Sequence, residues 1–106
     1  MKTIAVMTTT DTLEEAKKIA HALVKRRLAA CAQVSPIESV YVWQGEVQED
    51  TEYRLFIKTR DDRYAEVESA ICELHSYDLP AVYSIDLSHV YGPYAEWVVQ
   101  LSSAAD

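Results

Sequence analysis

The spacing of apolar residues switches along this chain in a defined order, and that order constrains the fold more than any other feature. Runs of β-branched residues and alternation at every second position predict strands, whereas apolar residues three or four apart predict helices. The predicted strands cover residues 3–8, 28–34 leading into 39–43, 53–58 and 82–87, and the predicted helices cover 11–27, 59–75 and 94–99. The order β-α-β-β-α-β is typical of a ferredoxin-like α+β fold, an antiparallel sheet with two helices on one face, here followed by a short C-terminal helix.

The ends of both long helices carry recognisable signals. Asp11, with Glu14 three residues later, is the predicted N-cap of the first helix. The basic run 25–27 lies in the last turn, where the helix dipole favours positive charge, so we interpret it as a solvated helix terminus. Thr59 and Asp61 are the candidate caps of the second helix.

A long β-hairpin is predicted where two strand-like segments follow each other with no helix between them. Gln44-Gly45 separates them, and residues 46–52 carry four acidic side chains, as expected of an exposed arm. Tyr41, Trp43 and Phe56 indicate that the sheet face away from the helices is partly apolar, and exposed aromatic patches usually mark interfaces. Because 106 residues bury a limited fraction of their surface, we expect assembly through the sheet or the hairpin.

The charge balance argues against nucleic-acid binding. Ten Lys and Arg against seventeen Asp and Glu give a net charge of −7 and a pI near 4.8, whereas phosphate contacts need a basic surface. Residues 1–8 are too weakly apolar for a secretory signal or a membrane span, so we expect a cytoplasmic protein with one domain over 1–106. Cys31 and Cys72 are predicted to be free, reduced and buried as small hydrophobic residues, without zinc-ligand spacing.

Four segments resemble the CutA family, proteins named for divalent-cation tolerance. These segments are Leu28-Ala29-Ala30-Cys31, Val40 to Gly45, Glu52 followed by Ile57-Lys58-Thr59, and His75 to Pro80. The similarity extends over nearly the whole chain, from the first strand through Trp97, and the order and spacing of these segments are specific. The resemblance implies one CutA-like domain, a compact homotrimer whose long hairpins pair between subunits, and an architecture akin to the PII signal-transduction proteins. The candidate trimer-interface residues are Tyr41, Trp43, Phe56 and Trp97.

The resemblance also implies three copper-binding positions, which in this sequence are Thr8, His75 and Ala81. Only His75 offers a strong donor, and one imidazole does not make a selective site for a soft or borderline divalent ion. His75 is therefore the single metal candidate, for copper or another divalent cation, with Asp78 as a neighbouring donor that could compensate. No cofactor is required by this interpretation. Alternatively, His75 is a cation at a helix C-terminus that satisfies late carbonyls.

The sequence shows no pattern typical of catalysis. It has no glycine-rich phosphate loop and no local context for a Ser-His-Asp or Cys-His arrangement, so we expect a protein that is not an enzyme. Two functional alternatives to metal binding stay open: small-ligand sensing, as in PII-like proteins, and a trimeric scaffold. For sensing, the candidate residues of a cleft between subunits are Trp43, Lys58, Arg60, His75 and Tyr77. Trp43 could instead be an interface anchor, and Lys58 could pair with Glu52 or with another acid of the hairpin.

Overall fold

The computed structural model describes residues 1–104, and its elements follow the predicted order. They are β1 (Thr3–Thr10), α1 (Leu13–Lys25), β2 (Cys31–Trp43), β3 (Glu46–Arg60), a 3₁₀ turn (Asp61–Arg63), α2 (Tyr64–Leu74), β4 (Tyr83–Asp86) and α3 (Gly92–Leu101). The strands form one antiparallel sheet in the order β2-β3-β1-β4. The α+β class and the ferredoxin-like arrangement are confirmed.

The main core lies between the sheet and α1 with α2. Successive strand residues point to opposite faces, so Ile4 and Val6 of β1 and Leu55 and Ile57 of β3 all face these two helices and are fully buried. Each such side chain stabilises the fold by roughly 1.5–3 kcal/mol through removal from water. This alternation is the physical reason that the strand pattern could be read from the sequence.

Helix α3 packs on the opposite face of the sheet. Ala5, Lys58 and Cys31 are cross-strand neighbours on that face. Tyr94 of α3 contacts two of them, since its hydroxyl lies 3.6 Å from the Cys31 sulfur and its ring 5.6 Å from the Lys58 ammonium. Val98 is buried there as well. Helix α3 therefore covers part of the sheet face that lies opposite α1 and α2.

Several predicted details of the element ends are wrong. The N-cap of α1 is Thr12 and not Asp11, because the Thr12 hydroxyl accepts a hydrogen bond from the Glu15 amide at 3.1 Å. Thr59 caps no helix: it is a buried β3 residue whose hydroxyl donates to the Leu28 carbonyl at 2.6 Å. Asp61 begins the 3₁₀ turn, whose cap position is Arg60.

The cysteine prediction is correct for the thiol state and wrong for burial. Both cysteines are free. Cys31 is half-buried at the start of β2, where the Tyr94 hydroxyl is its neighbour. Cys72 is exposed on α2, because the face of that helix directed at the core is formed by Val67, Ala70 and Ile71.

β2 and β3 form a hairpin that extends well beyond the sheet. β2 runs without a break through Pro36, which an edge strand tolerates because no ladder bond is needed on its outer side. Only residues 53–60 of β3 pair with β1, so residues 37–52 form a two-stranded hairpin arm. At its tip Gln44 and Gly45 adopt φ values of 52° and 81°, the left-handed geometry of a tight hairpin turn.

Candidate functional site

A cavity of about 710 Å³ lies between the hairpin arm and the loop that follows α2. Three segments contribute to its wall: the end of β1, both strands of the arm, and loop residues 77–81. The lining residues are Thr9, Glu38, Ser39, Val40, Tyr41, Trp43, Glu52, Tyr77, Asp78, Leu79 and Ala81. Three acidic and three aromatic residues are therefore among the eleven that line the cavity.

Hydrogen bonds hold the arm and the loop together across this cavity. The Tyr77 hydroxyl donates to Glu52 Oε2 at 2.8 Å, which joins the loop to β3. On the arm itself, the Tyr41 hydroxyl donates to Asp50 Oδ2 at 2.6 Å. Burial and then the bond to Glu52 raise the pKa of Tyr77, and the bond to Asp50 raises the pKa of Tyr41. Both phenols therefore stay protonated as donors well above neutral pH.

His75 lies behind the cavity, with its side chain fully buried. Its Nε2 is 2.8 Å from the Thr9 carbonyl oxygen, which can only accept, so Nε2 carries the proton. Its Nδ1 accepts a hydrogen bond from the Tyr77 amide at 3.2 Å, and the Glu15 carboxylate lies 3.5 Å away. Both ring nitrogens are thus used in positioning the loop. The carbonyl it satisfies belongs to β1, so the alternative of a cation on late helix carbonyls is wrong.

The residues at the three expected copper positions do not fit a copper centre. The Thr8 hydroxyl is buried without a hydrogen-bond partner, but a neutral hydroxyl is a weak ligand for copper. Ala81 has no donor atom, and both nitrogens of His75 are already hydrogen bonded. Within residues 1–104, no group of three His, Cys, Asp or Glu side chains is placed to hold a metal ion.

The structure brings together two of the residues predicted for the cleft and places two others elsewhere in the chain. Trp43 and Tyr77 both line the cavity. Lys58 is six residues beyond Glu52 on β3, about 20 Å away at the rise of an extended strand. It donates to Gln33 Oε1 at 2.7 Å, so the alternative pairing with Glu52 is wrong.

Arg60 lies still further along β3. It forms two hydrogen bonds to the Asp62 carboxylate, at 2.8 and 2.9 Å, and one to the Ser103 hydroxyl at 2.7 Å. Within one chain it therefore ties the end of the sheet to the segment after α3.

Sequence reasoning missed the carboxylates of the cavity. Glu38 and Glu52 were not proposed as site residues, and Asp78 was proposed only as a compensating metal donor, although the register made Glu52 accessible. A tight turn at Gln44-Gly45 pairs Trp43 with Glu46 and, counting outward, Ile37 with Glu52. Counting back from the turn would therefore have placed Glu52 on the same face of the hairpin as Tyr41 and Trp43, opposite Ile37 and so four and six positions along the ladder from them.

The candidate interface residues differ in their surroundings. Tyr41 and Trp43 are 41% and 45% exposed on the arm, and Trp97 is 40% exposed on α3, where it stacks on Tyr94 at 5.6 Å. Phe56 is half-buried under the Lys58 ammonium, 5.7 Å from the ring centroid. The arm adds three valines that are at least two-thirds exposed, namely Val40, Val42 and Val47.

Fold and site together define a ferredoxin-like protein with an extended hairpin and a cavity between that hairpin and the loop after α2. The family model of the CutA1 divalent ion tolerance protein matches residues 4–101. The chain belongs to this family. It is 39% identical to the divalent-cation tolerance protein CutA of Pyrococcus horikoshii over 92% of its own length and 95% of that protein's.

Solved structures agree with this assignment. The CutA1 structure from Ehrlichia chaffeensis superposes with a TM-score of 0.91 at 35% identity, covering 97% of this chain and 98% of that one. The structure from Archaeoglobus fulgidus, described as a periplasmic divalent cation tolerance protein, superposes with a TM-score of 0.93 at 31% identity, covering 95% and 99%. The names of these proteins state cation tolerance and no catalytic activity. Among the helices of residues 1–104, none is long and apolar enough to cross a bilayer.

Proposed function

We propose that this chain acts in divalent-cation tolerance, the role its relatives are named for, as a homotrimer that binds a small molecule and catalyses no reaction. The cavity of about 710 Å³ carries the proposal, because its volume is that of a small-molecule site. Its wall combines apolar surface with a few fixed polar groups, as such sites do. Metal tolerance would then depend on the bound molecule and not on a copper ion held at His75.

The exposed apolar surface of the hairpin arm supports assembly. A two-stranded ribbon is marginally stable at best in water, and within residues 1–104 no third strand pairs with the arm. Val40, Val42 and Val47 are 67%, 68% and 73% exposed in the single chain, a concentration of apolar area that usually marks an interface. Three copies are what the resemblance to CutA proteins implies.

Light scattering after size exclusion tests the assembly. The chain has a mass of 12.0 kDa, so three copies give about 36 kDa. Val42→Asp, which would place a charge in the proposed interface, should reduce that mass, whereas Tyr91→Asp changes a residue that is 76% exposed outside the arm and should not. A wild-type protein that elutes as a monomer at micromolar concentration would contradict the trimer.

A thermal-shift screen of small molecules of different charge tests ligand binding. A ligand that binds the folded state raises the unfolding temperature, and the shift grows with its concentration. Trp43→Phe should reduce the shift, because the indole lines the cavity, while Tyr91→Phe should leave it unchanged. Both variants must first show the wild-type mass. If no compound shifts the wild type, the small-molecule part of the proposal fails.

Calorimetry with Cu²⁺ and Zn²⁺ tests the role of His75. Because both ring nitrogens are hydrogen bonded, we expect His75→Ala to leave any metal binding unchanged. A stoichiometric copper site that is lost in His75→Ala would contradict this part of the proposal.

The cytoplasmic location also stays a proposal. It is supported by the two free cysteines, because cytosolic thiols usually stay reduced. The Archaeoglobus relative is described as periplasmic, so cell fractionation with compartment markers is the deciding measurement.

A further inference from the structure

Strand β3 carries charges of both signs on one face, and the two signs are separated along its length. Residues at alternate positions share a face, and Leu55 and Ile57 point to the helices, so the even-numbered residues lie on the opposite side. The charged residues on that side are acidic in the arm half, namely Glu46, Asp50 and Glu52, and basic in the body half, namely Arg54, Lys58 and Arg60. We call this surface the charge-sorted face.

The residues predicted from the sequence for the trimer interface lie on the same face. In the β2–β3 ladder, Trp43 is the partner of Glu46 and Tyr41 is the partner of Gln48. Partners across an antiparallel ladder point to the same side, so both aromatic rings belong to the acidic half. Phe56 belongs to the basic half, between Arg54 and Lys58.

We infer that the acidic half of this face in one copy packs on the basic half in the next copy, so that three chains close head to tail. The inference rests on the proposed homotrimer and specifies which parts of two chains meet. A ring of three needs contacts between two different patches, because a patch that contacts itself produces a pair. The two halves of the charge-sorted face are different patches of opposite charge.

Charge favours this arrangement over one in which equal halves meet. If the arms packed on one another through this face, three acids would face three acids, and like charges placed opposite each other weaken a contact. Two basic halves would repel in the same way. The staggered arrangement brings opposite charges together at each of the three contacts of the ring.

Contacts within one chain leave the acidic half negatively charged. Glu52 accepts a hydrogen bond from the Tyr77 hydroxyl, and Asp50 accepts one from the Tyr41 hydroxyl. Both donors are neutral, so neither hydrogen bond cancels the charge of the carboxylate. Glu46 is exposed and takes part in none of the ion pairs within residues 1–104.

The basic half likewise keeps most of its charge. Lys58 donates to the neutral side chain of Gln33 at 2.7 Å. Arg54 is exposed, and the ion pairs within residues 1–104 join other side chains. Only Arg60 has a carboxylate partner there, Asp62 at 2.8 Å. Two oppositely charged surfaces are therefore available to each other in neighbouring copies.

Light scattering over a range of protein concentrations tests the inference with single charge reversals. Glu46→Lys in the arm and Arg54→Glu in the body should each raise the concentration at which half of the trimer dissociates by about tenfold. Glu14→Lys and Lys18→Glu are the matched controls, since they make the same charge changes on α1 and should leave this concentration within about twofold. All four positions are exposed, so circular dichroism should show the wild-type fold in each variant.

A double variant with both Glu46→Lys and Arg54→Glu shows whether the two halves meet. These positions are eight residues apart on β3, about 27 Å at the rise of a strand, and screening in 0.1 M salt acts within about 10 Å. Coupling between them must therefore act between chains. Each reversal repels less when the opposing half is reversed too, so the double variant should dissociate at least about threefold less readily than the product of the single effects. A double effect equal to that product would contradict the inference.

The outcomes separate this inference from the proposed homotrimer. If the wild type is a monomer at micromolar concentration, the homotrimer and the inference both fail. If the wild type is a trimer and the two face variants behave like the α1 controls, the trimer stands and the inference is wrong. If Glu46→Lys strengthens the assembly, the acidic halves meet one another, and the inference is again wrong.

Discussion

The two halves of the β2–β3 hairpin differ in what covers them. Near the body of the protein, Leu55 and Ile57 point to α1 and α2 and are fully buried, while α3 covers part of the other face. In the arm, Val42 is 68% exposed, and none of the helices that the structure describes covers it. One continuous pair of strands thus changes from a core element to an uncovered ribbon within a few residues.

This difference separates the part of the hairpin that forms the core from the part that lines the cavity. The body needs Leu55 and Ile57 to reach a stable fold in a single chain. The arm carries Tyr41, Trp43 and Glu52, which contribute to a cavity and not to the core. The apolar and charged residues of the arm lie outside the core of the single chain. They are therefore the residues to test for assembly and ligand binding.

The largest effect is expected in the body. Leu55→Ala should lower the free energy of unfolding by about 3 kcal/mol, because it removes a fully buried side chain and leaves a cavity in a packed core. Urea unfolding, monitored by circular dichroism at one fixed protein concentration, measures the loss. A cost below about 1 kcal/mol would contradict the tight packing of β3 against the helices.

Val42→Ala tests whether the arm is buried between subunits in solution. In the single chain this residue is mostly exposed, and truncation there should cost less than about 0.5 kcal/mol. If the arm is buried between subunits, the cost should be about 2 kcal/mol per copy, close to that of a core valine. The control is Val24→Ala on α1, a surface helix position where alanine is favourable. Equal, small effects in both variants would indicate that the arm stays uncovered.

The turn at the tip of the arm gives a smaller effect with a matched control. Gly45 has φ of +81°, which a side chain disfavours, and no atom lies within 4 Å of the added Cβ, so the whole cost of Gly45→Ala is conformational. We expect a loss of about 1 kcal/mol. Gly92→Ala also meets open space but at an ordinary backbone angle, so it should be neutral or slightly stabilising. Similar results for the two would contradict the turn geometry.

The body was more predictable from the sequence than the ends of its elements. Ile57 and Leu55 could be assigned because alternation over several residues leaves one consistent core face. The N-cap of α1 could not be decided, since Asp11 with Glu14 and Thr12 with Glu15 show the same spacing one residue apart. Thr59 has a side chain suited to a cap, but its position on the core face of β3 directs the hydroxyl to the Leu28 carbonyl.

The cavity was only partly predictable because it depends on position along a strand as well as on which face a residue occupies. Trp43 and Tyr77 line the cavity of the single chain, whereas Lys58 and Arg60 lie at the far end of β3, and their place in a cleft between subunits stays a prediction. The contact between Tyr77 and Glu52 joins residues 25 positions apart through a loop, and no local pattern encodes it. The buried role of His75 was hidden for the same reason, since its partner Thr9 lies 66 positions away.

The alkaline pH dependence of stability gives the smallest effect and compares the arm contact with a contact in the body. A hydrogen bond to Glu68 raises the pKa of Tyr64 to about 12, and burial with the bond to Glu52 raises that of Tyr77. Unfolded tyrosine loses its proton near pH 10 while the folded form keeps it, so stability should fall as pH rises from about 10 towards 12. Tyr77→Phe and Tyr64→Phe should each reduce this fall, measured by urea midpoints at successive pH values. An unchanged pH dependence in Tyr77→Phe, with a reduced one in Tyr64→Phe, would show that the loop-to-arm hydrogen bond does not form in solution.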